Sequence, residues 1–203
     1  MKINGLEPLD GFNPGNGPVV TVILDGIGIG SRDERDGVFV SHTPVLDQLF
    51  SEPLYTELKA HGTAVGLPSD DDMGNSEVGH NALGAGRIFP QGAKLVNEAF
   101  ESGIIFQGQG WKQIMERCAS GGTLHLIGLV SDGNVHSHID HLYALLKACS
   151  ENKITRVRIH GLLDGRDVGA RSAISYFQPL EDTCAEYSRQ GLDFKIASGG
   201  GRM

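Results

Sequence analysis

From residue 123 onward, apolar runs at 123–130, 156–163 and 193–198 alternate with segments of helical period at 138–150 and 170–190. Runs of period two separated by runs of period 3.6 predict a βαβαβ unit, and hence a parallel sheet. Upstream, Val19-Val20-Thr21-Val22-Ile23-Leu24 is β-branched at all but its last position and predicts a strand buried on both faces. Thr43-Pro44, followed by Val45, Leu46, Leu49 and Phe50, predicts a capped amphipathic helix with proline at its first position. Residues 54–67 read as short strands turning at His61-Gly62. Helices are expected from Ser76 to about Leu83, where Gly84-Ala85-Gly86-Arg87 follows, and over 93–102 and 109–120. Residues 1–17, rich in Gly, Pro and Asn, read as a loose lead-in. The fold class expected is α/β, with two parallel-sheet units meeting near residue 88, spanning 1–88 and 89–203.

Polar residues interrupt this pattern at strand ends. Asp25 closes the first apolar run and is followed by Gly26-Ile27-Gly28-Ile29-Gly30. A carboxylate there is either a turn residue before glycine or a group at the ligand-binding edge of an open sheet. The glycines do not spell G-x-G-x-x-G, because Ser31 stands at the third place and charged residues follow. Each later strand also runs into a polar, glycine-bearing loop: Ser131 to His138, Asp164-Gly165-Arg166-Asp167, and Ser198-Gly199-Gly200-Gly201-Arg202. Carboxyl ends of parallel strands lie together, so His136, Arg166, Asp167 and Arg202 are candidates for one anion pocket. Taken singly, each is an ordinary loop charge.

The most polar of these interruptions is Asp70-Asp71-Asp72-Met73-Gly74-Asn75-Ser76-Glu77-Val78-Gly79-His80. Glycines on both sides of Ser76 permit close approach by backbone or ligand, and a helix N-terminus favours a phosphate through its exposed N–H groups and dipole. The plainer possibility is that Asn75 or Ser76 caps the helix.

Composition narrows the function classes. The chain has 203 residues, 39% of them hydrophobic, enough for a real core. A net charge of −8 argues against nucleic acid as the main partner. No apolar run approaches the roughly 18–20 residues of a membrane span, and Met1-Lys2-Ile3-Asn4-Gly5 lacks a signal peptide's apolar stretch, so a cytoplasmic location is expected. Cys118, Cys149 and Cys184 are odd in number and widely spaced, and read as buried free thiols. The 29 glycines sit at the ends of β-like runs, where α/β enzymes build sites.

One constellation points elsewhere. His136-Ser137-His138-Ile139-Asp140-His141 spells H-x-H-x-D-H, with which metallo-β-lactamase-like hydrolases begin a two-metal site. Such a site needs further ligands downstream, and the only later histidine, His160, lies inside a predicted strand. His138 and His141 are expected at the start and on the surface of a helix.

Leu24-Asp25-Gly26, Gly74-Asn75-Ser76-Glu77-Val78-Gly79-His80, Val130 to His138, Asp164-Gly165-Arg166-Asp167 and Gly201-Arg202 together closely resemble, in order, the cofactor-independent phosphoglycerate mutases of the alkaline phosphatase superfamily. The resemblance implies a partial alkaline-phosphatase-like domain followed by a substrate-binding transferase domain. It implies interconversion of 3-phosphoglycerate and 2-phosphoglycerate through a phosphoserine, a step of glycolysis and gluconeogenesis, without 2,3-bisphosphoglycerate. Ser76 would be nucleophile and metal ligand, and Asp25 a ligand of the same ion, usually manganese, with magnesium or cobalt as alternatives. His136, Arg166, Asp167 and Arg202 would hold the phosphoglycerate. Metal coordination would help a serine hydroxyl that is otherwise a poor nucleophile at neutral pH.

The resemblance covers this whole chain but less than half of a family member. The family's long C-terminal section, with the remaining aspartate and histidine ligands and a lysine near the phosphate, has no counterpart here. Two protein ligands are too few to hold a catalytic metal firmly. The chain is therefore expected to be a fragment that lacks turnover by itself, with the C-terminal half as its possible partner. Two alternatives stay open: a non-catalytic remnant or assembly partner that binds phosphorylated acids, and a metal-dependent phosphatase or phosphopentomutase-like relative.

Overall fold

The computed structural model describes residues 10, 11, 13 and 15–202, so most of the expected N-terminal lead-in lies outside the described residues. The chain falls into two compact units, Met1–Thr56 and Glu57–Met203.

In the second unit the predicted alternation is realised. Strands β1 (Leu124–Leu129), β2 (Arg156–Leu163) and β3 (Asp193–Gly201) form a parallel sheet in the order β1-β2-β3. The chain is α/β. Helices α3 (Ser76–Ala85), α4 (Gly92–Glu101) and α5 (Gln109–Ala119) precede the sheet, and α6 (Ile139–Glu151) and α7 (Ala173–Arg189) connect its strands. Val157 and Ile159 of β2 and Phe194 of β3 are buried, packed with Leu146 and Cys149 of α6, Leu180 and Cys184 of α7, and Trp111 and Met115 of α5. This is the expected period-two alternation: β2 turns His160, and β1 turns His125 and Ile127, to the opposite, more exposed face, where Ile127 is 73% exposed. Cys149 and Cys184 are buried free thiols, as expected, and Cys118 is half-buried; burial and the neighbouring Cys118 push the Cys149 thiol up to about 12.

One expectation about β3 is corrected. The glycines after Ser198 continue the strand, with Gly199, Gly200 and Gly201 paired to Gly161, Leu162 and Leu163. Pairing is a backbone property, so a run without side chains extends the ladder wherever a neighbour offers its edge. A register shift opposite Ile159/His160 places Ser198, not Ala197, beside His160.

In the first unit α1 (Gly37–Val40) and α2 (Pro44–Ser51) are helices. Proline opens α2 as predicted, and Asp36 caps α1 by accepting from Val38 and Phe39 N–H. The strand expected at Val19–Leu24 is not formed. Val19 is 92% exposed and Leu24 52%, and no described residue pairs with this backbone as a strand. A doubly buried strand needs neighbours on both edges and cover on both faces, and two short helices supply neither. The short strands expected over 54–67 are also absent; a 3-10 turn, Gly62–Val65, stands in their place. No helix among the described residues is long and apolar enough to cross a membrane.

Candidate functional site

Within the second unit the three strand-end loops meet on one buried carboxylate. Asp164, directly after β2, has a side chain 2% exposed. Its Oδ2 accepts from Ser131 Oγ at 2.7 Å, from the loop after β1. Its Oδ1 accepts from the backbone N–H of Arg166 at 3.1 Å and of Asp167 at 3.0 Å, and from the Arg202 guanidinium at 3.0 Å, after β3. Burial alone would raise the Asp164 pKa, but these bonds outweigh it and hold the carboxyl at about 2. Arg202 also donates to Asp167, and its backbone N–H to Leu163 C=O at 3.0 Å. The Asp167 carboxylate raises the guanidinium's pKa further. The loop after β1 lies so close that a Cβ on Gly133 would stand 2.9 Å from Asp167 Cβ. Asp132 accepts from the Tyr176 hydroxyl of α7.

The structure thus joins Asp167 and Arg202 directly, with Arg166 beside them. Arg166 and His136 are both exposed. Ser131 and Asp164 are the organising residues that the sequence reading quoted within motifs but did not single out. The available signal was their polarity at the end of apolar runs, where a side chain about to be buried must find partners.

Ser76 is the exposed first residue of α3. Of the two capping alternatives it is Asn75 that caps, accepting from Val78 N–H at 3.1 Å. The small residue at 74 serves a backbone approach: a Cβ there would lie 1.9 Å from the Ala60 carbonyl oxygen. His61, expected as a surface or turn residue, has a structural role, since its Nδ1 accepts from Gly74 N–H at 3.0 Å. Asp72 is held by Ser69, whose N–H donates at 2.7 Å, and by Asn134 Nδ2 at 2.6 Å, so the serine loop is tied to the loop after β1. Burial would raise the Asp72 pKa, yet these bonds leave it lowered.

Asp25 lies in the first unit, exposed, with Oδ1 accepting from Gly26 N–H at 3.1 Å in a turn where Gly26 has φ 77°. The described residues contain no group of three or more His, Cys, Asp or Glu side chains placed to hold a metal. Asp25 and Ser76 are two oxygen-bearing side chains, which suit a hard divalent ion in type and fall short in number. His138 caps α6, its Nδ1 accepting from Asp140 N–H at 3.2 Å. His141, expected on the helix surface, is half-buried: its Nε2 meets Asn97 Oδ1 at 2.6 Å and its ring stacks on Phe100 with centroids 5.0 Å apart. Burial and the neighbouring His138 lower its pKa, and Asp140 opposes them.

Comparison with known proteins shows the family to which the chain belongs. The chain is 52% identical over 187 residues to the 2,3-bisphosphoglycerate-independent phosphoglycerate mutase of Trypanosoma brucei brucei, a match covering 91% of this chain and 34% of that relative. It is 55% identical over 187 residues to the enzyme of that name from Zea mays, covering 91% and 33%. A solved structure of Leishmania mexicana phosphoglycerate mutase, studied at low cobalt concentration, superposes with a TM-score of 0.79 at 47% identity, covering 89% of this chain and 33% of that one. The chain spans about a third of the length of these relatives. Residues 96–203, more than half of the chain, match the family described as the BPG-independent PGAM N-terminus, and the chain belongs to that family of cofactor-independent phosphoglycerate mutases.

Proposed function

We propose that this chain supplies the phosphoryl acceptor and part of the substrate grip of a phosphoglycerate mutase that interconverts 3-phosphoglycerate and 2-phosphoglycerate. The observation that carries the reading is the joining of three strand-end loops through Asp164, which fixes Arg202 and the backbone of Arg166 at one edge of the sheet. Arg202 has two carboxylates beside it, Asp164 and Asp167, so this trio carries a net negative charge. Attraction for a phosphorylated acid therefore rests on the exposed Arg166, with His136, while Arg202 orients the ligand through donors that the carboxylates leave over. Asp167 would accept from a glycerate hydroxyl.

Ser76 is proposed as the group that receives the phosphoryl. Its place at the first position of α3 puts the new negative charge at the positive end of a helix whose cap is already supplied by Asn75. Manganese, or magnesium or cobalt, would lower the pKa of the serine hydroxyl when bound; the cobalt named for the Leishmania relative supports a divalent ion. Asp25 and Ser76 are its proposed ligands here, and the further ligands are proposed to belong to the two thirds of the relatives' length that this chain does not span. The same portion is proposed to cover Val19–Leu24 and to complete an alkaline-phosphatase-like domain begun by residues 1–88, with 89–203 beginning the transferase domain. The enzyme so completed is proposed to be cytoplasmic and glycolytic and to need no 2,3-bisphosphoglycerate, with this chain alone binding substrate and not turning it over.

The test is calorimetric binding of 3-phosphoglycerate to the 203-residue chain, with a coupled mutase assay in manganese. Binding weakened at least tenfold by Arg166→Ala, without turnover, is expected. Robust turnover by the chain alone would refute the division of labour, and unaltered binding in Arg166→Ala would refute the assignment of the grip.

A further inference from the structure

Two buried side-chain atoms among the described residues have no hydrogen-bond partner, Gln91 Oε1 and Asn134 Oδ1. Turning the amides over rescues neither. Gln91 Nε2 donates to the carbonyls of Val65 at 2.9 Å and Val78 at 3.1 Å, and both accept only, so the nitrogen end must face them. Asn134 Nδ2 is fixed in the same way by the Asp72 carboxylate at 2.6 Å. Gln91 is 4% exposed. Both residues line one cavity of about 70 Å3, bounded also by Asn75 and Glu77 at the start of α3 and by Gly92 and Ala93 at the start of α4.

The occupant must donate to two amide oxygens. An anion is excluded by those oxygens. A cation would find one carboxylate, Glu77, in the lining, but it would also meet the first turns of two helices, where the dipoles present their positive ends. Those turns also carry N–H groups without helical partners, and no side chain caps α4. Water satisfies both demands, donating to the amides and accepting from N–H. The volume exceeds the roughly 10–15 Å3 that one water requires, so a small cluster fits.

We propose that this cavity is a water site in which held water donates to Gln91 Oε1 and Asn134 Oδ1 and joins the helix carrying Ser76 to the loop after β1. Gln91 grips that helix by the Val78 carbonyl, and Asn134 grips the serine loop by Asp72, so the two are positioning residues with water as the joint between them. The site stands whether or not Ser76 is the phosphoryl acceptor.

Water-selective NOESY and ROESY spectra of the 15N-labelled 203-residue chain test this. Cross peaks of opposite sign in the two spectra, from water to the side-chain amides of Gln91 and Asn134, are expected. Gln91→Met removes one of the two acceptors, and weakening of the water cross peak at the Asn134 side-chain amide is expected. Asn134→Gly keeps a residue at ease with the φ of 57° found there while removing the other acceptor, and should alter the Gln91 peaks. Absence of both cross peaks in the unsubstituted chain would overturn the proposal, and that spectrum decides even if a variant fails to fold. Melting in KCl and in choline chloride at equal ionic strength is expected to coincide; a potassium-specific rise in Tm would overturn water in favour of a cation.

Discussion

Asp164→Ala and Asp164→Asn together test whether one carboxylate joins the three loops. The alanine variant strands the N–H groups of Arg166 and Asp167, the Ser131 hydroxyl and one contact of Arg202. A buried donor without a partner costs about 1–3 kcal/mol. Ser131 can rotate and Arg202 keeps Asp167, so the two N–H groups at about 1 kcal/mol each and one charged bond at about 2 give a loss of about 4 kcal/mol, within the range for breaking a buried pair. Asparagine keeps an oxygen for the N–H groups and offers an NH2 that Ser131 Oγ can accept. Only the charge opposite Arg202 is lost, about 1–2 kcal/mol.

The two variants also differ in pH dependence. The native carboxyl titrates at about 2, below its unfolded value near 3.9. A depressed folded pKa contributes stability that is complete above about pH 5 and is lost as pH falls toward 2. Asparagine has nothing to titrate, so the gap between unsubstituted chain and Asp164→Asn should narrow from pH 7 to pH 3. Urea unfolding followed by fluorescence of Trp111, the single tryptophan and a neighbour of the core, measures both effects. A loss below about 1 kcal/mol for Asp164→Ala, or a gap that does not narrow on acidification, would refute the hub.

Gly133→Ala would set a Cβ 2.9 Å from Asp167 Cβ and 3.1 Å from Asp164 Oδ2; a loss of about 1–3 kcal/mol is expected from such overpacking, read by the same unfolding curve. Arg166→Ala, exposed and bonded to Asp164 only through its backbone, should change stability by less than about 0.5 kcal/mol while weakening 3-phosphoglycerate binding in calorimetry. Arg202→Ala should lose both binding and stability, because it leaves the Asp164 charge uncompensated, and thermal melting separates the two variants. Val20→Thr and Val22→Thr, at residues 78% and 75% exposed, should leave the melting temperature of the chain within about 2 °C, because no buried area is lost.

Periodicity carried the second unit well because its strands and helices bury their apolar faces against one another within the same stretch of chain. Val157, Ile159 and Phe194 alternate with polar residues, and their partners, Leu146 and Leu180, sit on the helices between. Periodicity failed at Val19–Leu24 for the converse reason. A β-branched run states a preference for a sheet, but a strand exists only where another backbone offers hydrogen bonds, and no described residue does so here. The glycines of β3 erred in the opposite sense, since local propensity called for a loop and the free edge of β2 recruited them into the sheet.

The candidate site divides along the same line. The candidate residue types, Asp25 after an apolar run, Ser76 at a helix start, and His136, Arg166, Asp167 and Arg202 in the loops after strands, were legible in sequence because polar residues and glycine beside an apolar run are local features. Which of them touch was not legible, since Ser131 and Arg202 reach Asp164 from 33 and 38 residues away. The same holds for the choice of Asn75 over Ser76 as cap, for the backbone contact that makes Gly74 necessary, and for the two amide side chains, Gln91 and Asn134, that line one cavity. Local chemistry is written in the order of residues; partners are decided by the sheet that brings distant loop ends to one edge.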